Sequence, residues 1–334
     1  MSCHPKPSKI SRKILGAAAA FAFAAAGPLA AAETYDGKKI LFVDSYHEGY
    51  AWSDGTLAGV RSVLDSSGAE LRVVRMDTKR KKTDEDKLTA ARMVKQTIES
   101  FRPDVVIASD DNASKYVIEP FYKDAAVPFV FCGVNWDASI YGFPYSNVTG
   151  MVEVASVDEL FVFLERLTDG RRVGYLAADV FTAHKEQTNI EKTFGMQFAE
   201  TRYVSAMDEW LAQFRELQDK VDILLVGNAA GTEGWDDDTA ARFVERHTRI
   251  PSGAVHPHMV RFALIAFTKL AEEQGEWAAR TALRILDGTP PSAIPISRNT
   301  RGRLIINERV AGRLGGGPMV VLDDMRRSAD EVIE

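Results

Sequence analysis

The sequence predicts an α/β protein of two lobes, each a parallel sheet covered by helices on both faces. Three observations carry this. Short apolar, β-rich runs alternate with amphipathic helical runs along the chain. The alternation comes in two successive sets, separated by Tyr141–Thr149 (YGFPYSNVT), a stretch of Gly, Pro, Ser and Asn read as a first crossover. The length, 334 residues, is long for one core and natural for two.

In the first set, strands are expected at Lys39–Asp44 (KILFVD), Glu70–Met76, Asp104–Ala108 (DVVIA) and Val127–Cys132 (VPFVFC). Helices are expected at Trp52–Asp65, Asp84–Phe101 and Ala113–Tyr122. The second helix has Leu88, Ala91, Met93, Val94 and Ile98 near helical spacing. The basic run Lys79–Lys82 before it reads as a solvated loop. In the second set, helices are expected at Asp158–Leu167, His184–Phe194, Glu209–Gln218 and Asp236–His247. Acids at 236–238 suit the N-terminus of the last of these. Its strands are expected at Arg172–Ala177, Glu200–Val204, Val221–Val226 and Ile250–Val255. Strands at Phe262–Thr268 and Arg303–Asn307, around a helix at Gly275–Leu286, predict that the chain recrosses between lobes. The first lobe is expected at 33–148 plus about 256–290, and the second at 149–255 plus about 291–334.

The N-terminus has a basic leader (Lys6, Lys9, Arg12, Lys13), an apolar run from Ile14 to Ala26, a Gly27-Pro28 break and Ala30-Ala31-Ala32. This is the order of a cleaved secretory signal peptide over 1–32, and the apolar run is shorter than a membrane span. Cleavage after Ala32 takes the 41 basic residues to 37 against 47 acidic ones, a formal charge of −10. That disfavours nonspecific nucleic-acid binding. Cys3 leaves with the leader. Cys132 then stands alone in an apolar strand, read as a buried small hydrophobe, so the fold relies on no disulfide.

Ligands of open parallel sheets bind beyond the carboxyl ends of the strands. The polar and aromatic residues there are Ser45, Tyr46, His47 and Trp52 after the first strand, Asp110, Asp111 and Asn112 after the third, and Asn135 and Trp136 after the fourth. The second set offers Asp179, Asn228, Thr232 and His256. Aromatic walls with a few polar anchors suit a small molecule held between lobes that close on it. Ser109, Asp111 and Asn112 also read as caps of the following helix. Nucleophile-elbow and phosphate-loop motifs are missing, and the glycine-rich run 227–234 lacks dinucleotide spacing. His256-Pro257-His258 has no third ligand at metal spacing, so neither metal nor cofactor is expected.

Several segments together resemble a family. These are LFVDSYHEGYAWSDGTLAGVRSVL, DVVIASDDNASKYV, EEQGEWAARTALRILDGTPPSAIPI, RLIINERVAGRLG and the ending SADEVIE. In this order they resemble the ABC-transporter substrate-binding proteins of the ABC_sub_bind type, whose domain also serves as the extracytoplasmic sensor of some histidine kinases. The resemblance implies two Rossmann-like lobes of a type I periplasmic binding protein. It also implies a permease and ATPase as partners, and a cleft whose ligand is an aromatic amino acid in some relatives. The aromatic SYHEGYAW segment and the Asp110-Asp111 pair depart from amino-acid-binding relatives. The expectation is a monomeric periplasmic solute receptor for an ABC importer. The rivals are a ligand-sensing subunit of a membrane histidine kinase or cyclase, and an exported enzyme using Asp110, Asp111 and His256 as acid–base groups.

Overall fold

The structure is a computed structural model describing residues 34–314 and 319–334, so the leader expected over 1–32 lies outside the described residues. Two sheets organise it. The first holds β1 (Lys39–Asp44), β2 (Glu70–Arg75), β3 (Val105–Ser109), β4 (Phe129–Asn135), β5 (Val148–Glu153) and the short β11 (Ser297–Arg298), in the order β11-β5-β4-β3-β1-β2. The second holds β6 (Val173–Ala178), β7 (Glu200–Val204), β8 (Ile223–Val226), β9 (Ser252–Ala254), β10 (Ile265–Lys269), β12 (Gly302–Asn307) and β13 (Glu331–Ile333), in the order β13-β12-β10-β9-β8-β6-β7. All pairings are parallel except β10 with β12.

Strands covered on both faces need continuous apolar runs, and Ile40, Leu41, Phe42 and Val43 of β1 are fully buried. Helices cover the first sheet: α1 (Ala51–Leu64), α2 (Asp84–Phe101), and α3 (Asp110–Ala113), which runs through a π turn at Ser114–Ile118 into α4 (Glu119–Phe121). The α2 start is capped by Thr83, whose hydroxyl accepts from the Asp86 N–H at 3.1 Å. The second sheet carries α5 (Val157–Leu164), α6 (Phe181–Phe194), α7 (Met207–Leu217) and α8 (Asp237–His247). In its core Trp210 packs on Phe214 and Phe262, and Tyr175 on Phe198 and Tyr203, among the buried strand residues. After β10 the chain returns to the first sheet as α9 (Ala271–Leu286), and α10 (Glu308–Ala311) and α11 (Met319–Ser328) follow β12. The helices α1 and α9 meet backbone to backbone: a Cβ added at Gly275 would stand 1.9 Å from the Thr56 carbonyl oxygen.

Three expectations are corrected. Tyr141–Thr149 is not the crossover, because β5 at Val148–Glu153 still belongs to the first sheet and the chain leaves it only afterwards. Gly150 obscures that strand in the sequence, yet it is required there: a Cβ would lie 2.3 Å from the Phe131 ring. Residues 256–269 do not rejoin the first lobe either, since β10 pairs with β9 and β12 of the second sheet. The change of lobe takes place at Leu270 alone, between β10 and α9, which leaves no linker composition to read. Conversely β11, expected with the second lobe, pairs with β5 of the first.

The chain therefore passes between sheets at 154–156, at 270 and at 299–301. Side chains tie these passages together. The Asn299 amide meets both backbone groups of Val154, accepting at 2.8 Å and donating at 3.2 Å. The Glu273 carboxylate accepts the backbone N–H groups of Thr300 and Arg301 at 3.0 and 2.9 Å.

Candidate functional site

In each sheet the strand order reverses at one point, between β1 and β3 in the first and between β6 and β8 in the second. The carboxyl ends at these points are Asp44, Ser45 and Asp110 on one side, and Asp179 and Asn228 on the other. This is where open α/β sheets place ligands.

On the first wall, part of the predicted set locks the scaffold. The Ser45 hydroxyl donates to the Ser109 carbonyl at 2.5 Å and accepts from the Ala113 N–H at 2.8 Å. Asn112 donates to Thr78, whose own hydroxyl donates to the Ser45 carbonyl. Asp44, buried, accepts from the Ser53 hydroxyl at 2.7 Å and from the Tyr46 N–H at 2.9 Å, with Arg75 at 3.5 Å. Asp110 is buried as well, at a left-handed φ of 71°, and its carboxyl takes the Ser109 hydroxyl at 2.6 Å. Burial above all, with the Glu153 charge behind it, holds the Asp110 carboxyl well above the usual carboxylate range. Burial thus favours the protonated, hydrogen-bonding form of Asp110.

The cleft-facing part is aromatic and acidic. Tyr46 and Tyr50 meet edge to face at 5.2 Å, and the Lys79 ammonium stands over both rings, at 4.4 and 4.8 Å. Burial first, then Asp110 and Asp111, push the Tyr46 hydroxyl upward. Asp111 accepts from the Tyr141 hydroxyl at 2.8 Å and the Asn135 amide at 2.7 Å. Trp136 follows β4 with φ 62°, a conformation a bulky side chain adopts at a cost. His47 lies farther out, its ring bonded to the Glu48 carbonyl at 2.9 Å. The buried Glu153 is ion-paired to Lys269 at the end of β10, and the same ammonium lies 5.6 Å from the Trp52 ring. Burial raises the Glu153 carboxyl above its ordinary value, and the Lys269 charge opposes the rise.

The second wall pairs its ionisable groups. Asp179 meets His184 at 2.7 Å, and that imidazole stacks on Tyr203 at 3.7 Å. His256 meets Glu186 at 2.7 Å, not Asp110 or Asp111, so the acid–base set weighed for an enzyme is not assembled. Asn228 accepts from the Ala230 N–H at 2.9 Å and faces His258 at 3.3 Å. Burial, then the nearby His256, lowers the His258 imidazole. Thr232 is buried, its hydroxyl without a protein partner.

A cavity of about 340 Å³ joins the walls, lined by Asp111, Asn135, Trp136, Ile140 and Tyr141 from the first and by Thr182, Lys185 and Glu186 from the second. Trp136 also packs edge-on against Phe194 of α6 at 6.5 Å, and Asp137 pairs with Lys192 at 3.2 Å. Sequence reasoning missed Tyr141, Lys185, Glu186, Glu153 and Lys269, which lie on helices or in and after strands it did not place at the cleft. Lys79 was visible only as part of a basic run, from which it alone covers the tyrosines. Among the described residues no His, Cys, Asp and Glu side chains group as a metal site, and Cys132 is buried.

Two parallel-sheet lobes, crossed three times and open to one another along their carboxyl edges, define the class: a solute-binding protein of the type I periplasmic architecture. The chain belongs to the ABC transporter substrate binding protein family, whose sequence profile it matches over residues 50–333. Similar folds include a ligand-free, open substrate binding protein with adhesive properties from Clostridium difficile (TM-score 0.62, 17% identity, 83% of this chain and 95% of that one). Another is an ABC transporter solute binding protein from Bradyrhizobium sp. BTAi1 with bound bis-tris (0.53, 14%, 87% of each). A third is an ABC domain in complex with L-Trp from Streptococcus pneumonia (0.50, 17%, 89% and 99%). No curated protein matches the chain.

Proposed function

We propose that this protein is an extracytoplasmic receptor that closes its lobes on one small molecule and delivers it to an ABC permease and ATPase, acting as a monomer without catalysis. One observation carries the reading: the cavity draws Asp111, Trp136 and Tyr141 from one sheet edge and Thr182, Lys185 and Glu186 from the other. A molecule seated there touches both lobes, so closure multiplies its contacts and the closed form becomes the ligand-selected state. Asp111, Asn135 and Trp136 line the cavity directly, Tyr46 and Trp52 extend the first wall beyond it, and Asp179, Asn228 and His256 border the second. Ser45, Asp110 and Asn112 support the first wall from behind, Thr232 is buried after β8 in the second lobe, and His47 sits at the rim. Among the described residues no helix is long and apolar enough to cross a membrane. L-Trp and bis-tris, bound by two proteins of similar fold, both carry an amine.

The test is a thermal-shift and calorimetry screen of amino acids, sugars, purines, amines and small acids, followed by small-angle scattering. A ligand binding 1:1 raises the melting temperature by mass action and shrinks the particle, with no product formed. Conversion of a library compound, with no compound bound intact, overturns the receptor reading. Stimulation of a membrane kinase in place of a transport ATPase assigns the receptor to sensing.

A further inference from the structure

The first wall contains an ammonium that belongs to the protein itself. Lys79 sits on the turn after β2, exposed at the mouth of the cleft, and its ammonium covers Tyr46 and Tyr50 at 4.4 and 4.8 Å. Among the described residues no carboxylate lies within ion-pair distance of Lys79, and no cation lies within that distance of Asp111, which is met by neutral donors. The other cations of the wall are engaged, Arg75 with Asp44 and Glu48 and Lys269 with Glu153. β1 and β3 pair Asp44 with Ser109, so Tyr46 and Asp111 each lie two residues beyond adjacent strand ends, in the neighbourhood of the tyrosine pair, and the Asp111 charge contributes to raising the Tyr46 hydroxyl.

Charge accounting then has a simple form. Buried Asp44 and Glu153 are paired with Arg75 and Lys269, the exposed Glu48 shares Arg75, and burial favours the protonated form of Asp110. Asp111 and Lys79 remain without an ion-pair partner among the described residues, one carboxylate and one ammonium. If Lys79 swings out to solvent, the wall keeps two aromatic faces and one uncompensated carboxylate, the chemistry that recognises an organic monocation. An anion entering there meets Asp111 and Glu153 instead.

We propose that Tyr46, Tyr50 and Asp111 form a subsite for the cationic group of an organic ammonium ligand, which the Lys79 side chain fills until the ligand displaces it. This rests on the receptor reading and narrows it to a class of ligand. Lys79 acts as an internal competitor, exchanging one ammonium for another without a change in the charge of the wall.

Choline and its neutral isostere 3,3-dimethylbutan-1-ol are the probes, titrated by calorimetry into the full mature chain, into Lys79→Met and Lys79→Ala, and into Lys79→Met/Asp111→Asn. Because Lys79 is exposed, its variants are expected to melt as the parent does. Choline is expected to bind both single variants about tenfold more tightly than the parent. The isostere is expected to bind none of them, and Asp111→Asn to abolish the gain. Equal choline affinity in parent and Lys79 variants overturns the subsite, as does equal binding of the isostere. The two readings fail separately. A tightly bound neutral sugar, with choline indifferent to Lys79→Met, removes the subsite and leaves the receptor. Choline binding that follows Lys79 and Asp111, with every library compound turned over or ignored, does the reverse.

Discussion

Replacing Gly275 by alanine tests the packing that holds the returning helix in the first lobe. The added methyl carbon would stand 1.9 Å from the Thr56 carbonyl oxygen and 2.8 Å from the Val60 nitrogen, both backbone atoms of α1. Neither can turn aside as a side chain does, so α1 and α9 must separate by more than an ångström. Overpacking of this kind costs about 1–3 kcal/mol, and rigid backbone on both sides puts it at the upper end. Alanine returns about 1 kcal/mol of helix propensity. The net loss is then about 2 kcal/mol, a fall of roughly 4 °C in melting temperature for a chain of this size. Gly59→Ala, whose methyl would meet the Glu272 carbonyl oxygen at 2.1 Å, should behave alike. Gly55→Ala meets the Ala271 Cβ at 2.8 Å, a side chain, and should cost less. Urea melts of the three variants give the order. Stability of Gly275→Ala equal to or above the parent would falsify the backbone-contact argument, because propensity alone predicts a gain.

Three other perturbations probe the hinge and the cleft. Lys269→Met strands the buried Glu153 carboxylate and should cost about 3 kcal/mol in urea melts, with Glu153→Gln in the same chain recovering most of it; no recovery refutes the pairing. The raised carboxyl of Asp110 gives the native state a tighter hold on its proton than the unfolded chain has. Its contribution is therefore full below the ordinary aspartate range and is lost as pH rises toward the native value. Asp110→Asn should gain on the parent as pH rises above the ordinary aspartate range, and a difference that stays constant from there upward contradicts a raised Asp110 carboxyl. Trp136→Ala should weaken the ligand found in the screen by about tenfold or more, while its melting temperature stays close to the parent's; unchanged affinity removes Trp136 from the site.

Much of the fold was legible because its strands are buried on both faces. KILFVD, DVVIA and VDILLV are apolar runs too short for helices, and Asp84–Phe101 carries both its cap and its periodicity. What escaped was set by tertiary contact. Gly150 weakens the pattern of β5 because Phe131 needs its space, and the return at Leu270 occupies one residue. At the candidate site, position after a strand says which side chains stand near the strand ends and not the duty of each. Ser45 and Asp110 point into the scaffold, while Lys79 and Lys269 reach the wall from a turn and from the second sheet. A charge in a basic run looks solvated until the rings beneath it are in place.

Cys132 gives the fold a practical property. It lies in β4 with no exposed surface, and burial drives its thiol well above the ordinary value, so thiol reagents leave it alone. Among the described residues there is no other cysteine to compete for a dye. A cysteine introduced at Ile140, which is 61% exposed beside the cavity, would accept an environment-sensitive fluorophore at one defined place. On the receptor reading, the protein thereby offers itself as a reagentless optical sensor, whose brightness would report the approach of one lobe to the other in real time.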